Sequence, residues 1–294
     1  MDALLSYAET KGVLCFLFPA YVGFQGGDEG WMAEMVANGA SRMQAYGAFI
    51  ADRYKTRGNI VWMLGGDYGT GGSPFTAPQL AVEQALLPGM KSVSGQASVN
   101  FSAEWNSESI YTDQTDATLL AAGTLEGAYS FDGHVNTQAR NGYVHSPAMP
   151  TFLLEEPYDE EGPDGKNING VAVQPVRRYQ WWGWLSGIGG YISGNGYVWP
   201  FNSGWQAHLN TQGAKDMAQL NAFVRSIAWY NLVPSGLGAV PTLVAGNSSP
   251  DANDYVAAAA TPDGSLLVAY VPPNNAGNIT INMAAMSGPA RALV

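Results

Sequence analysis

Two acids stand where a chain of strand–helix repeats would carry its chemistry. Asp67 closes the run Asn59-Ile-Val-Trp-Met-Leu-Gly-Gly-Asp67, and Glu155 closes Thr151-Phe-Leu-Leu-Glu155. In each, apolar residues suited to a buried parallel strand lead directly to a carboxylate. Two carboxylates facing one bond can divide the work of breaking it, one protonating the leaving oxygen while the other attacks carbon or activates water. Plainer readings stand beside this one. An Asp after Gly-Gly commonly ends a turn or caps a helix, and Glu155 opens the acidic stretch Glu155-Glu-Pro-Tyr-Asp-Glu-Glu161, where most acids are expected to be solvated. Glu155 differs from its neighbours because it still belongs to the strand.

The aromatic residues point the same way. Trp181, Trp182, Trp184, Trp199 and Trp205 account for five of the nine tryptophans. The first three fall on a predicted helix and are expected to pack in the core. Trp199 lies beyond a strand end, where a flat ring is better explained by stacking on the C–H face of a sugar. Glu104, followed by Trp105, and Asp132 come after the third and fourth strands and are candidate contacts for substrate hydroxyls; Glu104 is also the substitute if Asp67 has no role. Arg177 and Arg178 are expected to pair with acids on neighbouring elements.

Composition removes several other classes. A net charge of −11 leaves no basic face for nucleic acid, and no apolar run is long enough to span a bilayer. Cys15, the one cysteine, sits in an apolar run and is expected to be a buried thiol, with no disulfide framework or cysteine-rich metal site around it. His134 and His145 are too scattered for a zinc set, no G-x-S-x-G elbow supports a serine nucleophile, and no G-x-G-x-x-G opens a helix after a strand. The chemistry of paired carboxylates needs no metal or organic cofactor. The partner it implies is an oligosaccharide or polysaccharide.

The elements that must position these residues alternate in a βα pattern. A helix over Asp2–Glu9 stops at Gly12, and the strand Val13–Pro19 follows. A helix over 31–57 is interrupted near Asn38-Gly39. After the Asp67 strand come a helix at 76–87 stopped by Pro88-Gly89, a strand at Ala97–Ala103, a helix at 113–122, a strand at Gly127–Phe131 and a helix near 137–146. The Glu155 strand, a helix from Pro175 to Ser186, the strand Gly190–Ser193 and a helix over 213–230 complete the series. Six strand–helix units fall two short of a (β/α)8 barrel. With two units upstream of Met1, the visible strands become three to eight, and Asp67 and Glu155 end strands four and seven. On this reading 1–234 is an α/β barrel domain lacking its first two units. Residues 235–294, with strands at Val240–Val244, Tyr255–Ala260, Leu266–Val271 and Ile279–Met283, form a small, incomplete β-sandwich. An open doubly wound sheet is the alternative.

Several blocks together resemble the apiosidase-like glycoside hydrolases, whose barrel is followed by a small β-domain with a collagen-binding label. The blocks are Arg53-Tyr-Lys, Asn59-Ile-Val-Trp62 with Gly65-Gly-Asp67, Phe152-Leu-Leu-Glu155 with Tyr158 and Asp159, Arg177-Arg178 with Gly187, Gly194-Asn195 and Trp199, and Trp229 with Leu232-Val-Pro234. The resemblance implies a retaining hydrolase with Asp67 as acid/base and Glu155 as nucleophile. It also implies substrate contacts from Tyr158, Asn195 and Trp199, and a complex, plant-type polysaccharide as substrate. A secreted or periplasmic location follows from that substrate class. Asp159 stands where the family usually has glutamate, and Glu156 is an additional acid beside the nucleophile. Nothing in 236–294 itself suggests collagen. A non-catalytic carbohydrate-binding barrel and an adhesion protein remain the alternative functions.

Overall fold

The chain begins in α1 (Asp2–Thr10), which closes on Gly12 in the left-handed region (φ 67°), a conformation open to glycine at no steric cost. The computed structural model describes residues 1–27, 29–68, 75–93, 104–105, 109–110, 113, 116–130, 133–161, 175–238 and 241–293; for Gln25, Asp67, Tyr68, Glu104, Trp105, Ser109, Ile110 and Ala285 it describes the backbone. These residues group into two units, 1–127 and 128–294.

In the first unit β1 (Cys15–Leu17) pairs in parallel with β2 (Ile60–Trp62), Cys15 opposite Ile60 and Leu17 opposite Trp62. The connection between them is α2 (Met32–Tyr54), interrupted as expected at Gly39 (φ 78°, ψ 165°). Cys15 is half-buried rather than buried, because the short β1 leaves it partly open. The expected continuous strand from 59 to 67 is divided. Beyond Trp62 the glycine pair turns the backbone (Gly65 φ 89°, Gly66 φ 151°), and a side chain on Gly66 would strike the ring of Tyr21, 2.7 Å away. The chain resumes as β3 (Asp67–Tyr68), parallel to β4 (Glu104–Trp105) with Asp67 opposite Glu104. Glu104 therefore lies within a strand instead of after one. The expected strand at Ala97–Ala103, like Asp132, lies outside the described residues. β5 (Ser109–Ile110) and α4 (Ala117–Leu120) follow, the helix capped by the Asp116 carboxylate on the Thr118 and Leu119 amides.

The helix α3 (Ala77–Lys91) opens with a capping box between Thr76 and Gln79 and runs straight through Pro88-Gly89, where a stop was expected. The reason is its partner. A Cβ on Gly89 would lie 2.0 Å from the Gln44 carbonyl oxygen, and one on Gly47 2.5 Å from that of Leu86. The two glycines let α2 and α3 cross backbone to backbone, so Gly89 marks a contact rather than an end. Pro88, in the last turn, removes only one amide from the helix ladder.

Glu83 of α3 is fully buried, and burial pushes its carboxyl up to about 8, against a smaller opposing effect of the Gly65 amide. The folded protein therefore holds a proton that the unfolded chain gives up near its ordinary value of 4.5. The associated stability is whole below that value and falls by about 1.4 kcal/mol per pH unit as pH rises toward 8. Glu83→Gln, neutral and of equal size, should remove this slope. Urea unfolding at pH 5 and pH 8 should show the variant gaining on the wild type at the higher pH, and equal differences at both would contradict a neutral Glu83.

The second unit begins within β6 (Glu126–Tyr129) and continues through α5 (Val135–Val144), β7 (Thr151–Glu155), α6 (Pro175–Leu185), β8 (Gly190–Tyr191) and α7 (Gln212–Val224). β7 lies between β6 and β8, parallel to β8 with Phe152 opposite Gly190 and Leu153 opposite Tyr191. The last helix ends earlier than expected, and Trp229–Asn231 is a separate 3-10 turn.

Five short strands follow: β9 (Val233–Pro234), β10 (Leu243–Ala245), β11 (Ala257–Ala260), β12 (Leu267–Tyr270) and β13 (Thr280–Ile281). β11 pairs antiparallel with both β9 and β12, and β10 with β13. These strands are joined to the helices by directed contacts. The Trp182 indole donates to the Tyr255 carbonyl (2.9 Å), Asn136 to that of Pro250 (3.0 Å) and Arg140 to that of Ser235 (3.1 Å). Trp181 stacks on Tyr270 (5.8 Å, 6°), and Trp182 is fully buried, so the helical tryptophans pack as expected. Arg177 pairs with Asp216 as expected. Arg178 lies over the Trp182 ring and donates to the Asn253 carbonyl and the Asn274 side chain. Among the described residues no helix is long and apolar enough to cross a membrane.

Candidate active site

Glu155 and Glu156 are consecutive, yet their surroundings are opposed. Glu155, the last residue of β7, is half-buried, and its carbonyl accepts from the Ser130 amide (3.1 Å). Glu156 is 0% exposed. The Tyr191 hydroxyl, carried by β8, donates to Glu156 Oε1 at 2.8 Å. Burial holds the Glu156 carboxyl well above the carboxylate range, hydrogen bonds from Tyr191 and Ser193 oppose it, and the neighbouring charges of Glu155 and Glu161 push it further up. Burial, followed by the Glu156 charge, also places the Tyr191 phenol well above its ordinary value. The residue at the end of β7 is thus only half-buried, and the carboxyl of the next is sealed from solvent.

The chain past Glu156 is bound to the segment past β8. Asp159 forms a parallel bridge with Asn195: its amide donates to the Gly194 carbonyl (3.0 Å), and its carbonyl accepts from the Gly196 amide (2.9 Å). Tyr158 lies over Gly194, where a Cβ would stand 2.5 Å from its ring. The Asp159 carboxyl rests on the first turn of α7, where Gly213 makes room for it, and burial raises it above its usual range against the Thr211 hydroxyl. Glu160, with a left-handed backbone (φ 57°), accepts from the Asn195 amide (3.1 Å) and contacts His208 Nδ1 (2.7 Å). His208 in turn stacks on Tyr197 (3.9 Å, 1°). Glu161 caps the Tyr158 amide (2.8 Å).

Asn195, expected among the substrate contacts, has both ends of its amide engaged within this framework. Its Oδ1 accepts from the Tyr197 and Val198 amides, and its Nδ2 serves Glu160. It orders the loop that presents Trp199 and Phe201, which are 64% and 70% exposed. Phe201 is held at φ 50°, an uncommon conformation for a bulky residue, and packs edge-on against Trp205. The structure thus brings Glu155, Tyr158, Asn195 and Trp199 into the connected segments that follow β7 and β8. The backbones of Asp67, Glu104 and Trp105 belong to the paired strands β3 and β4.

Sequence reasoning passed over Tyr191, Tyr197, Glu160 and His208. Each is ordinary alone, and only their partners, 35 residues apart for Glu156 and Tyr191 and 48 for Glu160 and His208, give them meaning. A signal was present in Tyr191, a large polar-tipped residue within the expected strand Gly190–Ser193. Among the described residues no three His, Cys, Asp or Glu side chains gather with the spacing of a metal site.

A crystal structure of a glycoside hydrolase family 5 protein from Bacteroides vulgatus ATCC 8482 matches this architecture with a TM-score of 0.73 at 19% identity, over 98% of this chain and 64% of that one. A second structure, described as a glycoside hydrolase, matches with the same TM-score and identity over 98% of this chain and 66% of that one. The chain thus shares the α/β fold of these glycoside hydrolase structures and spans about two thirds of their length. The family model "Apiosidase-like, catalytic domain" matches residues 1–231, and the chain belongs to that family. No curated protein matches it.

Proposed function

We propose that the chain carries the catalytic machinery of a retaining glycoside hydrolase acting on a complex, plant-type polysaccharide, with Glu155 as nucleophile and Asp67 as acid/base. The observation that carries this reading is the placement of Glu155: the half-buried last residue of a parallel strand within the family-matched region. On a (β/α)8 barrel that position faces the mouth, where catalytic groups gather. We read the visible strands as three to eight of such a barrel, over 1–234, and the strands beyond it as a small β-sandwich domain.

The chemistry is a double displacement. The Glu155 carboxylate attacks the anomeric carbon as the glycosidic C–O bond breaks, and Asp67 passes its proton to the departing oxygen. Asp67 then takes a proton from water, whose oxygen displaces Glu155 and releases the sugar. Two carboxyl groups about 5–5.5 Å apart would suit this course, whereas inversion needs roughly 6.5–9.5 Å. Trp199, with Phe201 beside it, offers sugar-stacking faces, and Tyr158, Glu104, Trp105 and Asp132 are further candidate contacts. A polysaccharide substrate of this kind places the protein outside the cytoplasm, secreted or periplasmic.

Proton NMR of the reaction with pectic or arabinogalactan-type oligosaccharides tests the reading. The first product to form should keep the anomeric configuration of the bond cleaved. First-formed product of opposite configuration would rule out the covalent course, and a protein that binds these glycans without releasing any sugar would favour the carbohydrate-binding reading instead.

A further inference from the structure

Glu156 has no place in the double displacement, yet it is the most completely buried acid beside it. It is 0% exposed, the Tyr191 hydroxyl donates to its Oε1, Ser193 is a second hydrogen-bonding neighbour, and no cation among the described residues pairs with it. A charge in such a place is strongly disfavoured without a counter-ion to offset it. The groups that titrate around it are Tyr191 from β8, with Tyr179 of α6 behind it, Glu155 from β7 and Glu161 from the following loop, and none of these can supply a positive charge.

We propose that Glu156 is a positioning residue for Glu155: a buried, uncharged carboxyl that ties the end of β7 to β8 through Tyr191 and leaves Glu155 the only charge of the pair. The assignment rests on the reading of Glu155 as nucleophile. Two features carry it. The β7–β8 ladder pairs Leu153 with Tyr191, and the Tyr191 hydroxyl reaches on to Glu156, one residue past Glu155, so it ties down the backbone from which the nucleophile projects. The neutrality of Glu156 also matters: an adjacent second charge in a site of low polarity would hold Glu155 protonated and unreactive.

The test compares Glu156→Ala, Glu156→Gln, Tyr191→Phe and Glu155→Gln by kcat, KM and pH profile. Glu156→Ala should lower kcat on the order of 10- to 100-fold, the scale of a small misplacement of a reacting group, with KM changed less than about threefold. Glu156→Gln, which keeps the size and the acceptor for Tyr191, should recover most of that loss. The wild type should decline in kcat at alkaline pH as Glu156 ionises, and Glu156→Gln should lose that decline. Tyr191→Phe, the milder variant, should reproduce part of the Glu156→Ala loss even if the alanine variant fails to fold. If Glu156→Ala and Tyr191→Phe keep the wild-type kcat while Glu155→Gln is inactive, the positioning role falls and the nucleophile stands. If Glu155→Gln turns over as fast as the wild type, the nucleophile assignment falls and takes the positioning role with it.

Discussion

Glu155→Gln should reduce turnover by about 10³-fold or more while binding of an oligosaccharide changes little, the scale seen when a group is removed from the reacting atoms themselves. Glutamine keeps the shape of the side chain and its acceptor oxygen but cannot supply the negative charge that closes on the anomeric carbon. Glu155 is half-buried at the end of β7, so the exchange leaves the core untouched and the unfolding midpoint should stay close to that of the wild type. A separate outcome distinguishes nucleophile from general base. Glu155→Gly opens a space that a small anion such as azide can enter, and attack from there should restore product formation as a glycosyl azide. Restoration by buffer base alone, without such an adduct, would assign Glu155 to water activation instead.

The second large effect concerns stability. Trp182→Ala should cost about 3–5 kcal/mol, which for a chain of this size lowers Tm by on the order of 10 °C. Trp182 is fully buried, and its indole satisfies the Tyr255 carbonyl. Its ring stacks near His134 (6.2 Å) and lies under the Arg178 guanidinium (5.3 Å). Removing it creates a cavity, orphans a buried acceptor and takes away the surface on which Arg178 rests. The same contacts predict the behaviour of the strands after Pro234. Ending the chain there would uncover Trp182, Arg178, Asn136 and Arg140 at once, so the shortened protein should aggregate rather than lose affinity for sugar alone. A soluble, folded product ending at Pro234 would show that these strands are an appendage. A Tm change below about 2 °C for Trp182→Ala would contradict the packing described for α6.

Elements with strong local grammar were legible from the sequence. α6 is announced by Pro175 at its first turn, and β7 by an unbroken apolar run into Glu155. The break in α2 follows from Gly39. The misreadings share one cause: a local breaker can serve a distant partner. Gly89 looked like a helix stop, and it is where Gln44 of another helix comes into backbone contact. Val233-Pro234 looked like the end of the barrel and is a strand, because Ala259 and Ala260 lie 25 or more residues ahead to pair with it. The site divides in the same way. Glu155 could be found from its strand, but the difference between Glu155 and Glu156 could not. That difference depends on which of two adjacent carboxyls meets Tyr191, and no local pattern encodes it.

Mass spectrometry of the protein stopped during turnover of a substrate with a good leaving group tests the central assignment most directly. The peptide containing Glu155 should carry one glycosyl residue, in ester linkage to that side chain, and the adduct should disappear as hydrolysis completes. An adduct on Glu156, Glu160 or Glu161, or steady turnover in which no peptide ever gains a sugar, would contradict Glu155 as the nucleophile.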